Sequence, residues 1–103
     1  MIKIAIPGSA GRMGCMLIRE IAAASDLELV AATDRPDSPF IGCDSGEVAK
    51  IGTNSVIIGS DPADLFNNAD VVIDFTSPTA SLYHATLAAE NGTAMVIGTT
   101  GLS

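Results

Sequence analysis

Basic residues are scarce in this sequence, which has 5 Lys and Arg against 12 Asp and Glu and a formal net charge of −7. A nucleic-acid surface needs a patch of cations that follows the phosphates, so this balance argues against nucleic-acid binding. Cysteine is also rare, because only Cys15 and Cys43 occur, in neither a CxxC nor a Cys/His metal spacing. We therefore expect reduced thiols, no disulfide framework and no metal site.

Long apolar runs are missing as well. No stretch approaches the roughly 18–20 residues that a membrane-spanning helix needs, and no basic leader with a cleavage site marks export. We therefore expect a cytoplasmic protein that is not bound to a membrane. Because 48% of the 103 residues are hydrophobic, the chain can still bury the core of one small domain.

Short apolar segments alternate with helical patterns along the chain. The spacing predicts strands at 2–6, 27–33, 55–58, 70–75 and 94–98, and helices at 12–24, 61–67 and 77–91. The Pro- and Gly-containing stretch 34–52 reads as a loop with at most a short helical turn at 47–50. Continuous apolar strands separated by helices indicate a parallel sheet covered on both faces, that is, a doubly wound α/β domain.

The chain shows no internal repeat or linker, so we expect one domain over residues 1–103. The sequence ends just after the last predicted strand, with no helix to cover that edge of the sheet. We therefore expect it to be a fragment of a longer protein.

Three glycines follow the first predicted strand, in the stretch PGSAGRMG at 7–14. Such a turn lets backbone N–H groups approach a pyrophosphate, and the start of the next helix favours its negative charge. We expect Gly8 to allow the tight turn, Gly11 the close approach of the backbone, and Gly14 the packing of the helix on the strands. Because the spacing is GxxGxxG rather than GxGxxG, a plain tight turn remains the alternative. Together with the predicted parallel sheet, this motif indicates a Rossmann-type dinucleotide-binding domain.

Asp34 ends the second predicted strand, 20 residues after Gly14. A carboxylate at this place accepts hydrogen bonds from the hydroxyls of the adenosine ribose, although an Asx turn before Pro36 is the duller alternative. Arg35 is suited to the 2′-phosphate that distinguishes NADP from NAD. The pair predicts tolerance of both cofactors.

Two further stretches lie at the carboxyl ends of predicted strands, DFTSP at 74–78 and GTTG at 98–101. Ligands of open α/β sheets bind at this edge. The residues that we expect on the nicotinamide side are Phe75, Gly98, Thr99 and Thr100. Core packing by Phe75 and helix capping by Thr76 or Ser77 are the alternatives.

The stretches GSAGRMG, DR after the second strand, VVIDFTSP and VIGTTG occur here together. In this combination the chain resembles, over essentially its whole length, the N-terminal cofactor domain of the dihydrodipicolinate reductases (4-hydroxy-tetrahydrodipicolinate reductases). The resemblance implies a cytoplasmic, homotetrameric enzyme of lysine and diaminopimelate synthesis that passes hydride from NADH or NADPH to a cyclic dicarboxylate. It further implies that residues 8–13 wrap the pyrophosphate, that Asp34 takes the ribose, and that Arg35 takes the 2′-phosphate. The pyrophosphate-binding residues are then Gly8, Ser9, Ala10, Gly11, Arg12 and Met13.

The resemblance also implies a substrate-binding and tetramer-forming domain after residue 103, with a His-His and Lys motif and an SGT segment. We assign no catalytic residue to this chain, because His84 is expected on a helix surface and Asp74 and Glu90 form no acid–base pair. Two alternatives remain open. One is a non-catalytic NAD-sensing module, and the other is a different nicotinamide-dependent dehydrogenase, such as a semialdehyde dehydrogenase. The latter needs a catalytic cysteine, for which neither cysteine of this chain is well placed.

Overall fold

Strands and helices alternate along the chain in the computed structural model, which describes residues 2–67, 69–74, 86–87, 89–90, 92 and 94–97. The first two strands and the helix between them are apolar on their inner sides, as the sequence pattern requires. The elements in these ranges are β1 Ile2–Ile6, α1 Arg12–Ala23, β2 Leu27–Thr33, α2 Ser45–Val48, β3 Ile58–Gly59, a 3₁₀ helix Pro62–Phe66, β4 Val71–Asp74 and β5 Ala94–Ile97.

The strands form one sheet in the order β3-β2-β1-β4-β5, and every pair is parallel. The chain starts at the centre with β1, moves outward through β2 and β3, and then returns to the other side for β4 and β5. The strand order therefore reverses between β1 and β4, which is the switch point where open α/β sheets bind ligands. The predicted doubly wound, Rossmann-type fold is confirmed.

Both faces of the sheet are covered, because alternate residues of β1 point to opposite sides. Ile4 and Ile6 pack with α1 in one buried cluster, whereas Ala5 packs with Leu65 and Phe66 of the 3₁₀ helix in a second cluster. A register shift between β1 and β2, at Ile4 and Ala5, accompanies this arrangement. The domain is thus three layers thick, with β1 at the centre of the middle layer.

The region between β2 and β4 departs from the prediction. The third strand was expected at 55–58 but lies at Ile58–Gly59, and the short helix lies at Ser45–Val48 rather than 47–50. The residues just before β3 pair with the start of α2 instead of with the sheet: Ser45 N–H donates to the Val56 carbonyl at 2.8 Å. Hydrogen bonds within this loop therefore replace the sheet pairing that the apolar pattern suggested.

The other helical predictions need smaller changes. The predicted helix 61–67 is a 3₁₀ helix with Asp61 as its N-cap and Pro62 in its first turn, and α1 ends at Ala23 rather than residue 24. Of the predicted helix 77–91, residues 86–87 and 89–90 are described, and they are helical. His84 and the proposed caps Thr76 and Ser77 lie outside the described residues.

No helix within the described ranges has the length and apolarity to cross a bilayer. In the same ranges, no group of three or more His, Cys, Asp or Glu side chains is placed to hold a metal ion. Cys15 is a half-buried free thiol and Cys43 an exposed one. The polar groups that bear on the predicted dinucleotide site lie at the carboxyl ends of β1 and β2.

Candidate functional site

The turn between β1 and α1 is tightened by a glycine in the left-handed region. Gly8 has φ +63°, and the Gly11 N–H donates to the Gly8 carbonyl at 3.1 Å. Residues other than glycine rarely adopt such a φ. Gly8 is therefore the residue that allows the tight turn. Gly11 has φ −75° and ψ 172°, which any residue can adopt. Its constraint is space, because an added Cβ would lie 3.3 Å from the Gly8 carbonyl oxygen.

Gly14 brings the first turn of α1 against the glycine-rich turn. An added Cβ at Gly14 would lie 2.4 Å from the Gly8 carbonyl oxygen and 2.6 Å from the Ser9 Cα. Both distances are far below ordinary van der Waals contact, so only glycine allows this approach. The prediction that Gly14 lets α1 pack on the strands stands, because α1 packs on β1 and β2, and Gly14 gives it close contact with the backbone of the turn that follows β1.

The N-terminus of α1 has no acceptor from its own sequence. Its N-cap is Gly11, no side chain caps it, and its first turn contains no acidic residue. The other short helices differ, because Asp44 caps α2 and Asp61 caps the 3₁₀ helix with their carboxylates. The first N–H groups of a helix have no partner within the helix, and together with its dipole they favour an anion. The first turn of α1 is thus arranged to receive an anion from outside.

Ser9 ties the glycine-rich turn to the end of β2. Its side chain is fully buried, and both its N–H and its hydroxyl donate to the Thr33 carbonyl oxygen, at 3.0 and 3.1 Å. The turn after β1 is therefore held beside the last residue of β2. The next residue along the chain is Asp34.

Asp34 and Arg35 form the second part of this edge. The Asp34 N–H donates to the Gly59 carbonyl at 2.9 Å, and the Asp34 Oδ1 accepts from the Arg35 N–H at 2.9 Å. The alternative of an Asx turn is wrong, because its usual donor is the N–H two residues on, and Pro36 has none. The Arg35 Nε lies 4.0 Å from the Asp37 Oδ1, and the two side chains are 85% and 83% exposed. Such an exposed pair is weak, so the guanidinium can turn to another anion.

The structure therefore places two of the three predicted groups at one edge of the sheet. The group from Gly8 to Met13 forms the turn and the start of α1, and Asp34 and Arg35 follow the neighbouring strand. Arg12 and Met13 are both exposed there. The backbone of β4 and β5 pairs in register up to Asp74 and Ile97. The remaining predicted residues, Phe75, Gly98, Thr99 and Thr100, lie outside the described residues.

Sequence reasoning missed the hydrogen bonds that organise the loop after Asp34. The Asp44 carboxylate accepts four backbone N–H bonds, from Gly46, Glu47 and Asn54 on Oδ1 and from Ser55 on Oδ2, at 2.8 to 3.1 Å. One side chain thereby joins the start of α2 to the segment before β3. The available signal was the spacing of Asp44 and Glu47, which is typical of a helix N-terminus.

Asp44 is 8% exposed. Its desolvation by itself raises the pKa of the carboxyl, because desolvation disfavours the charged form. The four backbone hydrogen bonds act in the opposite direction and outweigh burial, so the pKa of Asp44 is lowered from its usual value. Asp44 is therefore a charged structural group at neutral pH. It is not available as an acid.

The strand order, the glycine-rich turn with its uncapped helix and the carboxylate after β2 together define a Rossmann-type α/β domain. A family profile described as "Dihydrodipicolinate reductase, N-terminus" matches residues 2–103. The chain belongs to this family.

The relatives that this chain is similar to are named as reductases. The 4-hydroxy-tetrahydrodipicolinate reductase of Alkalilimnicola ehrlichii is 51% identical over 100 residues, covering 97% of this chain and 38% of that protein. The reductase of Acinetobacter baumannii is 46% identical, covering 98% of the chain and 37% of the relative. The corresponding figures for the Rhizobium rhizogenes reductase are 49%, 99% and 37%. The chain therefore spans a little over a third of the length of the relatives it matches.

One solved structure agrees with this assignment, and a second shares the fold. A dipicolinate-bound dihydrodipicolinate reductase from a Paenisporosarcina species superposes with a TM-score of 0.76 at 28% identity, covering all of this chain and 39% of that one. An aspartate semialdehyde dehydrogenase with NADP from Candida albicans gives a TM-score of 0.73 at 17% identity, covering 97% of this chain and 30% of that one. The second likeness shows the fold alone.

Proposed function

We propose that this chain is the NADH- or NADPH-binding part of a 4-hydroxy-tetrahydrodipicolinate reductase. In this reaction, hydride passes to a cyclic, imine-type dicarboxylate of lysine and diaminopimelate synthesis. Family membership and the names of the relatives support the reaction. Cofactor binding is supported by the N-terminus of α1, which follows a glycine-rich turn and has no side-chain acceptor of its own.

The described residues fit a dinucleotide in their chemistry. The backbone N–H groups of Arg12 and Met13 belong to the first turn of α1, where a pyrophosphate is favoured by hydrogen bonds and by the dipole. Asp34 follows β2, next to this turn, and offers a half-buried carboxylate to the ribose hydroxyls. Arg35, whose side chain forms an exposed pair with Asp37, is suited to the 2′-phosphate of NADPH.

The role of this chain in catalysis is then to bind and orient. When bound, NADH or NADPH supplies the hydride. The turn and Asp34 hold the adenosine half of the dinucleotide at the carboxyl edge of the sheet, and we propose that Phe75, Gly98, Thr99 and Thr100 hold the nicotinamide half. Fixing the donor in this way lowers the entropic part of the barrier once a substrate is held against it. We assign substrate binding, proton donation and homotetramer formation to the remainder of the protein, and we propose a cytoplasmic location.

Binding of NADH is the direct test, by fluorescence titration of the complete gene product that contains this chain. Gly11→Val places branched carbons where the pyrophosphate approaches. We expect it to weaken NADH by more than about 2 kcal/mol, or roughly thirtyfold. The φ of Gly11 suits valine, so the fold should suffer less than the affinity. Ala22→Val, which adds the two γ-methyl groups of valine at an exposed position of α1, is the control and should bind NADH normally.

Unchanged NADH affinity in Gly11→Val would mean that the turn does not hold the pyrophosphate.

The two alternative functions are distinguished from the reductase by their activity. A reductase oxidises NADH or NADPH only in the presence of the cyclic dicarboxylate. A sensing module binds NADH without turnover, and a semialdehyde dehydrogenase turns over with an aldehyde substrate instead.

A further inference from the structure

The side chain of Ser9 faces the protein and not the edge where the dinucleotide is proposed to bind. The residue is fully buried, and its N–H and Oγ both donate to the Thr33 carbonyl, at 3.0 and 3.1 Å. Its own carbonyl accepts a weak hydrogen bond from the Cys15 thiol at 3.6 Å. The polar atoms of Ser9 are thus engaged within the domain, although the resemblance counted this residue among the pyrophosphate ligands.

The Thr33 carbonyl lies between the two parts of the proposed site. On one side it receives both donors of Ser9, which stands inside the glycine-rich turn. On the other side its residue is followed by Asp34, whose N–H is fixed to the Gly59 carbonyl at 2.9 Å. Hydrogen bonds therefore fix the turn to the end of β2, and the backbone of the next residue, Asp34, to the end of β3.

We propose that Ser9 is a positioning residue that sets the distance between the pyrophosphate-binding turn and the ribose-binding Asp34. This inference rests on the proposed function. The pyrophosphate and the ribose of a dinucleotide are covalently joined, so both contacts form fully only when the two protein groups have the matching separation. Holding that separation before binding removes an ordering cost that would otherwise reduce affinity.

Removing the hydroxyl is a mild change. Ser9→Ala keeps the backbone N–H bond to Thr33 and leaves no buried donor without a partner, so we expect the protein to fold. The loss of one neutral hydrogen bond limits the effect, and we expect NADH to bind about three- to fivefold more weakly. Ser45→Ala is the matched control, because Ser45 is also fully buried and its hydroxyl donates to the Asn54 Oδ1 at 3.1 Å, within the α2 loop. It should lower the Tm comparably and leave the NADH Kd unchanged.

A double-mutant cycle with Asp34→Asn separates positioning from general stability. NADH Kd values are measured for the complete gene product as wild type, Ser9→Ala, Asp34→Asn and the double variant. If Ser9 positions Asp34, Asp34→Asn should weaken NADH binding less in the Ser9→Ala protein than in wild type. The two losses should differ by about the factor by which Ser9→Ala alone weakens binding. A role in stability alone leaves the two effects independent. Ser9→Cys, which keeps the shape with a weaker donor, carries the same cycle if Ser9→Ala does not fold.

Independent effects of the two changes, or an NADH Kd in Ser9→Ala equal to that of Ser45→Ala, would overturn the positioning role. Failure of the proposed function is a different result. In that case wild type does not bind NADH, or Gly11→Val leaves its affinity unchanged.

Discussion

Replacing Gly14 by alanine has two opposite effects on the stability of the fold. Within a helix, a change from glycine to alanine ordinarily gains up to about 1 kcal/mol, because alanine loses less backbone entropy. Here the new Cβ would lie 2.4 Å from the Gly8 carbonyl oxygen and 2.6 Å from the Ser9 Cα. Ordinary contact begins about 1 Å further out, and the obstructing atoms are backbone, so α1 and the turn must separate. Overpacking of this kind costs roughly 1–3 kcal/mol, which exceeds the gain from helix propensity.

We therefore expect Gly14→Ala to lower the free energy of unfolding and to weaken NADH binding, because the separation moves the N–H groups of the turn. The comparison is Gly11→Ala, three residues earlier, whose Cβ would meet the same Gly8 oxygen at 3.3 Å. Urea denaturation followed by circular dichroism measures stability, and fluorescence titration measures the Kd. A Gly14→Ala protein more stable than wild type, or less perturbed than Gly11→Ala, would refute the packing argument.

Arg35→Ala should weaken NADPH binding roughly tenfold and leave NADH binding almost unchanged, whereas Asp34→Ala should weaken NADH binding most. Equal losses of affinity for both cofactors in Arg35→Ala, measured at one ionic strength, would contradict the 2′-phosphate assignment. Asp44→Asn should lower the Tm at neutral pH more than Asp61→Asn, because Asp44 accepts four backbone bonds and the Asp61 side chain caps through one, to the Ala63 N–H. Since the pKa of Asp44 is lowered in the folded protein, its contribution is present above the unfolded pKa and is lost as pH falls through the folded one, so the Tm of wild type and Asp44→Asn should converge in acid. A gap that stays constant with pH would exclude the charge as the cause. The 103-residue chain alone should show no dicarboxylate-dependent oxidation of NADH or NADPH in an absorbance assay, because we assign it no group that holds or protonates the substrate.

The centre of the sheet was predictable because β1 is buried on both faces from Ile4 to Ile6. Mostly apolar segments such as 2–6 and 70–75 have few alternatives to a central parallel strand. The helical spacing after Gly11 then predicts a helix as the connection that leaves the first strand. The glycine-rich turn was predictable for a related reason. A positive φ, as at Gly8, and close backbone contact, as at Gly14, restrict a position to one residue type, and that restriction is visible in the sequence.

The loop before β3 was not predictable in the same way. Its fold depends on one carboxylate that binds N–H groups up to 11 residues away, at Ser55, and no local periodicity records such a contact. The apolar run 55–58 therefore resembled a strand of ordinary length. Only its last residue joins the sheet, since Val56 and Ile57 pair with the start of α2. Long-range hydrogen bonding prevailed here over local strand propensity.

Ser9 shows why a motif identifies a site more readily than it assigns a role to each member. The sequence placed Ser9 inside the turn, and a serine in a phosphate-binding turn suggests a hydroxyl directed at the phosphate. The direction of that hydroxyl depends on Thr33 at the end of β2, which is 24 residues away in the chain, and on the close approach of α1 that Gly14 permits. With the hydroxyl engaged by Thr33, anion binding at this turn falls to backbone N–H groups. Substitutions other than proline leave the backbone N–H groups in place. The informative variants are therefore those that fill the space beside these groups, as at Gly11, or displace them, as at Gly14.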